Sequence, residues 1–452
     1  MRRAISPWGD ERELPAPFAA EGAELTLEGL SVRELAERFG TPLYVTSEAR
    51  LRSNARRLRH AFETSWEPFR LLYAVKANNN PEIVRALRSE GCGADCSSPA
   101  EIEIARRAGV PASKILYTSV FPREDELAFA VRAGTAVNLD DPALLPRLLS
   151  HGTPRALSFR LNPGPTESGP EGLRFSGESK FGTKLSRALA AYRTARRSGI
   201  HELGMHTMPG SNILNPEHFR LVARFLGRSA RVLRRATGAS PSFLDMGGGL
   251  GVPYRSHELP LDLEAVARGV ARELEGSVDR SCELWTEPGR YLMADTTVLL
   301  TRVTHRKEGR VPFVGVDAGM QTLLRPALYG AYHPMYAATQ LGERPARPVH
   351  VVGPVCENTD VLARSRRLPA LAAGDLLAIG NAGAYGFSMS SQYNTRPRPA
   401  EVLVRDGHAV LVRRRETLED LWSHTGVWEP SPSELSRAAA SAPGALAGPT
   451  GS

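Results

Sequence analysis

The feature that most constrains the fold is an alternation running from about residue 69 to residue 287, in which short apolar runs are separated by amphipathic helical stretches. The apolar runs are Leu71 to Ala77, Gly93 to Ser97, Ile115 to Val120, Ala136 to Asp140, Ala156 to Asn162, Leu203 to Met208, Phe243 to Gly247 and Glu283 to Glu287. Helical periodicity fills the gaps, including Pro99 to Ala108, Arg123 to Ala133, Pro142 to Ser150, Ser186 to Ser198 and His218 to Thr237. Strands this apolar are buried on both faces, which requires helices to cover a parallel sheet. Eight such units predict a closed (β/α)8 barrel, with an open doubly wound sheet as the alternative.

The rhythm changes after residue 297. Val298 to His305, Val311 to Val316, Pro348 to Val352, Asp375 to Ile379, Ala400 to Arg405 and His408 to Arg413 are short β-type runs broken by Gly, Pro and Asp, so a second, all-β domain is expected. The predicted organisation is an N-terminal segment (1–40) packing with that β domain, a barrel (41–297), the β domain (298–430) and a Ser, Ala, Pro and Gly-rich disordered tail (431–452). Within the first segment, Ser31 to Phe39 reads as a helix with a Ser N-cap, ending at Gly40.

Composition narrows the function. The formal charge of +8 is scattered over helix faces, with no basic tract interleaved with aromatics, which argues against nucleic acid and for a small anionic ligand. No apolar run approaches the roughly 18 residues of a membrane span, and the N-terminus lacks an apolar signal core. Four cysteines (Cys92, Cys96, Cys282, Cys356) form neither a disulfide framework nor a paired metal motif, so no metal is expected and a reducing cytoplasm is the simplest setting.

Among 57 basic residues only five are lysines: Lys76, Lys114, Lys180, Lys184 and Lys307. Lys76 ends the run Phe69-Arg70-Leu71-Leu72-Tyr73-Ala74-Val75 and precedes the turn Asn78-Asn79-Asn80-Pro81. A lysine at a strand end in so arginine-rich a chain is there for its amine, since arginine cannot be deprotonated for imine chemistry, and desolvation is expected to lower its pKa. The carboxyl ends of barrel strands face the site, and there the sequence places Lys76, Asp95, Arg160, His206, Met208, Gly247 to Gly249, Glu287 and Arg290. The glycine run can offer backbone N–H groups to a phosphate, although such a run alone more often marks a flexible loop. A lysine, a phosphate cradle and a carboxylate able to pair with a pyridinium nitrogen are together the parts of a pyridoxal phosphate site.

Seven longer motifs sharpen this: YAVKANNN, the Ser179 to Gly182 turn, DMGGGLGVPY, TEPGRYLMA, DAGMQTLLRPALYGAYH, GPVCENTDVLA and NAGAYGFSMSSQYNTRPRPAEVLV. From about Thr41 to Leu421 the chain resembles the fold-type III pyridoxal-phosphate decarboxylases, and most of all those acting on diaminopimelate. The resemblance implies an alanine racemase-like fold, pyridoxal 5'-phosphate carried on Lys76, and Glu287 paired with the pyridine nitrogen. It implies phosphate contacts from Ser211, Gly247, Gly248, Gly249 and the Glu287-Pro288-Gly289-Arg290 loop. Substrate contacts would come from Arg290, Arg325, Tyr329, Glu357 and Tyr385, the last touching the cofactor too. Cys356 matches the residue that reprotonates the substrate α-carbon, reaching the site of the other subunit of a homodimer. Structural roles for Cys356 and Glu357, as a buried thiol and a surface ion pair, are the plain alternatives.

One position departs from the family pattern. Where diaminopimelate decarboxylases typically carry a histidine stacked on the cofactor ring, this chain reads His206-Thr207-Met208-Pro209-Gly210-Ser211, placing Met208 at the stacking position. A thioether packs on an aromatic face but carries no charge. The leading expectation is meso-diaminopimelate decarboxylation to L-lysine. The alternatives are another amino acid or one tethered to a carrier protein in a specialised pathway, and a non-catalytic regulator, against which the retention of Lys76 and Cys356 argues.

Overall fold

The computed structural model describes residues 17–164, 179–208, 210–238 and 240–426; the tail expected at 431–452 lies outside them. Eight parallel strands close into a barrel: β1 (Phe69–Ala74), β2 (Gly93–Cys96), β3 (Ile115–Ser119), β4 (Ala136–Leu139), β5 (Ala156–Arg160), β6 (Glu202–His206), β7 (Phe243–Asp245) and β8 (Glu283–Thr286). Closure comes from β8 against β1, with Leu284 opposite Phe69 and Thr286 opposite Leu71. The open-sheet alternative is thereby excluded.

The barrel interior is graded. Leu72, Leu116, Ala136, Ala156, Phe243 and Trp285 form a small internal apolar cluster, in which the Phe243 and Trp285 rings stack at 3.8 Å. Gly204 makes room for that stack, because a Cβ there would lie 2.2 Å from the Phe243 ring. Toward the carboxyl ends the buried residues turn polar: Asp95, Asn138, Asp140, His206, Asp245 and Glu287. Buried charges on this scale demand partners, so this end is where ligand chemistry is to be sought.

The β-rich part is a nine-stranded sheet built on Thr297–Lys307. Its membership departs from the sequence division at residue 41: Leu43–Ser47 is no barrel strand but pairs with Thr297–Lys307 and with Ala400–Arg405. The local pattern of Leu43–Ser47 is that of any buried strand, and only its long-range partners reveal its place. Strands Phe18–Glu21, Glu24–Leu27 and Leu30–Ser31 form a separate small sheet, and Phe18, Leu25 and Leu27 pack with Leu43, Val298, Leu376 and Val402 of the β region. Among the described residues no helix is long and apolar enough to cross a membrane.

The loop after β1 joins the two regions. Val75 to Ala77 form a 3-10 turn, so the strand stops at Ala74 instead of continuing to Ala77. Tyr73 Oη receives the Asn78 N–H at 3.0 Å and donates to the Asn78 carbonyl at 2.8 Å. Asn78 and Asn80 side chains both donate to Glu401 of the β sheet, at 2.8 and 3.0 Å, while Asn80 also caps the helix Pro81–Ser89. The asparagine run is thus a docking element as well as a turn, and it fixes Lys76 from both sides.

Candidate active site

Lys76 opens into a cavity of about 650 Å³ at the carboxyl end of the barrel. Of the expected residues, Arg160, His206, Met208, Ser211, Gly248, Gly249, Glu287, Gly289, Arg290 and Tyr385 line the same cavity. Ser97, Thr118, Ser119 and Asn212 also contribute to the wall, without any sequence signal beyond their position near strand ends, as does Phe181, which the Ser179 to Gly182 motif contains.

The Lys76 ammonium is bonded to Asp95, which is fully buried on β2. Burial works to lower the lysine pKa, yet the negative charges of Asp95 and Glu287 outweigh it and the pKa is raised. The expectation of a lysine made neutral by desolvation is therefore corrected: carboxylates, and not an apolar wall, are its nearest partners.

Glu287 sits opposite, with Oε2 3.3 Å from His206 Nε2. Burial would raise its pKa, but His206 and Lys76 hold it below the usual carboxylate range. Asp245, at the end of β7, is pushed the other way by burial and by the charge of Glu287. Of this carboxyl pair Glu287 is driven toward the charged form and Asp245 toward the neutral one. The Glu287 carboxylate shares a hydrogen bond with the Asp245 carboxyl, and beyond that its buried Oε1 accepts from no other donor among the described residues. A protonated ring nitrogen in the cavity is the kind of donor that would satisfy it.

The glycines divide. Gly247 (φ +65°) gives its N–H to Asp245 Oδ1 at 2.8 Å, so its expected role in a phosphate cradle is not supported by the geometry. Gly248 and Gly249 reach the cavity. A Cβ at Gly248 would lie 2.7 Å from the Glu287 carbonyl, and one at Gly289 2.8 Å from Ala77 Cβ, so only glycine permits these backbones to pass so closely. The Gly248 N–H points to Met208 Sδ at 3.1 Å, placing the departing residue on the cradle.

Arg160 lies in the wall with Nη1 3.5 Å from Asp140 and its guanidinium 4.4 Å from the Phe181 ring centre; burial lowers its pKa. Tyr385, held at φ +58°, donates its N–H to the Ala77 carbonyl at 2.8 Å and receives the Arg290 guanidinium over its ring at 5.1 Å. Arg290 donates to Ser211 Oγ at 3.2 Å and to Tyr254 Oη at 2.9 Å. Arg325 is buried outside the cavity wall but donates to the same phenol oxygen at 3.1 Å. Tyr254 ends the motif DMGGGLGVPY, and that was the only signal for it.

Three expected residues stand apart within one chain. Cys356 and Glu357 are exposed on the loop before Val361–Arg366, and Tyr329 is 65% exposed at the end of the helix Arg325–Tyr329. None of them lines the Lys76 cavity. The buried structural alternative for Cys356 is excluded by its exposure. The Glu357 carboxylate accepts from Thr359 N at 3.1 Å, a local turn contact instead of an ion pair.

Comparison with known proteins agrees with this geometry. The family description "Pyridoxal-dependent decarboxylase, pyridoxal binding domain" matches residues 48–294. The chain is 45% identical over 404 residues to a diaminopimelate decarboxylase of Methanothermobacter thermautotrophicus, covering 88% of this chain and 94% of that one. Protein TabA of Pseudomonas amygdali pv. tabaci is 36% identical, with 88% and 94% covered. The crystal structure of the M. jannaschii diaminopimelate decarboxylase in complex with L-lysine superposes with a TM-score of 0.86 at 31% identity, covering 94% of this chain and all of that one. The chain belongs to the pyridoxal-dependent decarboxylase family.

Proposed function

We propose that this enzyme decarboxylates meso-diaminopimelate to L-lysine, using pyridoxal 5'-phosphate on Lys76, and that it works as a homodimer. The observation that carries the reading is the barrel-end cavity lined by the Lys76 amine, the Glu287 carboxylate and the Arg290 guanidinium, with Arg325 buried behind its wall and joined to Arg290 through the Tyr254 hydroxyl. A substrate with a reacting amino acid at one end and a second charged end matches that layout. Its distal charges would be costly to bury unpaired.

The residues present fit the cofactor: a reactive amine, a close-approach glycine backbone and the Glu287 carboxylate, held charged at the cavity wall. When bound, pyridoxal phosphate supplies an electron sink that spreads the charge left on the substrate α-carbon as carbon dioxide departs. The chain does the rest. Asp95 holds the Lys76 ammonium and is placed to take its proton, freeing the amine. Glu287 stays anionic because His206 and the proton on Asp245 favour that state, so it holds a proton on a ring nitrogen. Gly249 and Ser211 offer donors at the phosphate end, and Gly248 gives the close backbone approach. Cys356 delivers the proton to the α-carbon and Glu357 receives the distal ammonium, both from a second copy of the chain.

A second reading, decarboxylation of another amino acid or a carrier-tethered one, is favoured by one observation: Met208 lines the cavity, and its thioether can neither carry charge nor donate a hydrogen bond to a carboxylate. The deciding experiment is product analysis by the purified, cofactor-loaded enzyme over a panel of amino acids. L-Lysine and carbon dioxide from meso-diaminopimelate are expected. No turnover of it alongside turnover of another amino acid would replace the leading reading with the second.

A further inference from the structure

The hydroxyl of Tyr254 accepts two guanidiniums, Arg290 at 2.9 Å and Arg325 at 3.1 Å. Neither arginine is in an ion pair among the described residues, and the Nε of each is buried without a partner. Two like charges on one phenol oxygen repel, and the arrangement holds only because its surroundings over-determine it. Tyr254 is fixed by its backbone, whose N–H donates to Glu258 at 2.7 Å, and the carbonyl of Pro253 accepts from Asn381 at 2.9 Å. Its ring meets His333 edge-on at 5.4 Å and Arg325 at 5.1 Å. Arg325 also donates to His333 Nε2 at 2.9 Å, while His333 Nδ1 donates to the Gly380 carbonyl at 3.0 Å. His333 is therefore in its neutral form, an acceptor that adds no third charge.

We propose that Tyr254 is a positioning residue that joins Arg290 of the barrel and Arg325 of the β region into one paired receptor for a carboxylate. The inference rests on the reading of the site as one for a substrate with a distal carboxylate, and it adds a residue that touches no reacting atom. A phenol oxygen has two acceptor lone pairs, one for each guanidinium, and the remaining N–H groups of both stay available for an anion. Lost repulsion between the arginines on anion binding supplies a driving force that a salt-bridged pair would lack.

Tyr254→Phe removes the hydroxyl and keeps the ring contacts. In the cofactor-loaded enzyme the KM for meso-diaminopimelate should rise about tenfold with kcat held within about twofold, the scale of a hydrogen bond to a charged group. Pimelate, the same carbon skeleton without its amines, should bind the loaded wild type by calorimetry and bind Tyr254→Phe about tenfold more weakly. Arg325→Lys combined with Tyr254→Phe should cost less than the sum of the two single changes. Unchanged pimelate affinity in Tyr254→Phe, a wild type that ignores pimelate, or a fall in kcat with unchanged KM would each overturn the proposal. A wild type that binds pimelate but fails to turn over meso-diaminopimelate would sink the substrate reading instead, and the effect of Tyr254→Phe on pimelate binding would still decide the role of Tyr254.

Discussion

Lys76 and Cys356 are both proposed to serve the reacting carbon, yet one lines the cavity at the carboxyl end of the barrel and the other stands on an exposed loop away from it. The barrel residues converge because strand ends do: Asp95, His206 and Asp245 lie at or next to the last residues of β2, β6 and β7, and Glu287 directly follows β8. The Cys356 loop is exposed but not loosely built. Asp360 accepts from Val355 N at 2.8 Å and Met320 N at 2.6 Å, and a Cβ at Gly353 would lie 2.4 Å from its carboxylate. Asn394 accepts the Cys356 N–H at 2.7 Å. A rigid loop presenting a thiol and a carboxylate to solvent is suited to completing a site on another surface. The residues expected to hold the cofactor gather within one chain, whereas Cys356 and Glu357 do not reach that cavity within it.

If that division is right, changes in the barrel half should be the most severe. Lys76→Ala should reduce activity on the order of a thousandfold or more, as loss of a covalent catalytic group does. Borohydride treatment of the loaded wild type followed by peptide mapping should place the reduced cofactor on Lys76; an adduct on any other of the five lysines contradicts the assignment. Glu287→Gln should lower kcat by about a hundredfold, in the range of removing one preorganised electrostatic partner, with circular dichroism unchanged.

On the Cys356 loop, Glu357→Gln should reduce turnover of meso-diaminopimelate roughly tenfold to a hundredfold relative to a substrate lacking the distal ammonium, from the worth of a charge-assisted hydrogen bond. An equal loss on both substrates would remove Glu357 from the substrate's distal end.

The smallest effect concerns the seam between the regions. Burial, reinforced by Arg325, lowers the His333 pKa to about 3. Because the unfolded chain takes up a proton near pH 6.5 and the folded one does not, this residue's contribution is present above about pH 6.5 and is lost progressively as pH falls toward 3. Urea midpoints of the wild type should fall over that window, and His333→Asn should flatten the dependence. An unchanged slope in the variant would show that other groups set it.

Much of this was legible in the chain itself, for a physical reason. Parallel barrel strands are buried on both faces and so read as apolar runs, and their ends point one way, so Lys76, Asp95, His206 and Glu287 could be read directly off them. The position of Leu43–Ser47 in the β sheet could not, since parallel pairing with Ala400–Arg405 joins residues more than three hundred apart. Tyr254 and His333 were missed because their value lies in contacts between regions, to which local pattern is blind. The raised pKa of Lys76 was missed for the opposite reason. A lysine after an apolar run suggests desolvation, whereas Asp95 arrives from the next strand to decide the sign.

The most direct test of the division is subunit mixing. Lys76→Ala and Cys356→Ala chains, each inactive alone, should form heterodimers in which one of the two sites has both residues intact, restoring roughly half the wild-type activity per dimer. Verified heterodimers that stay as inactive as their parents would show that Cys356 does not serve the Lys76 site of another copy.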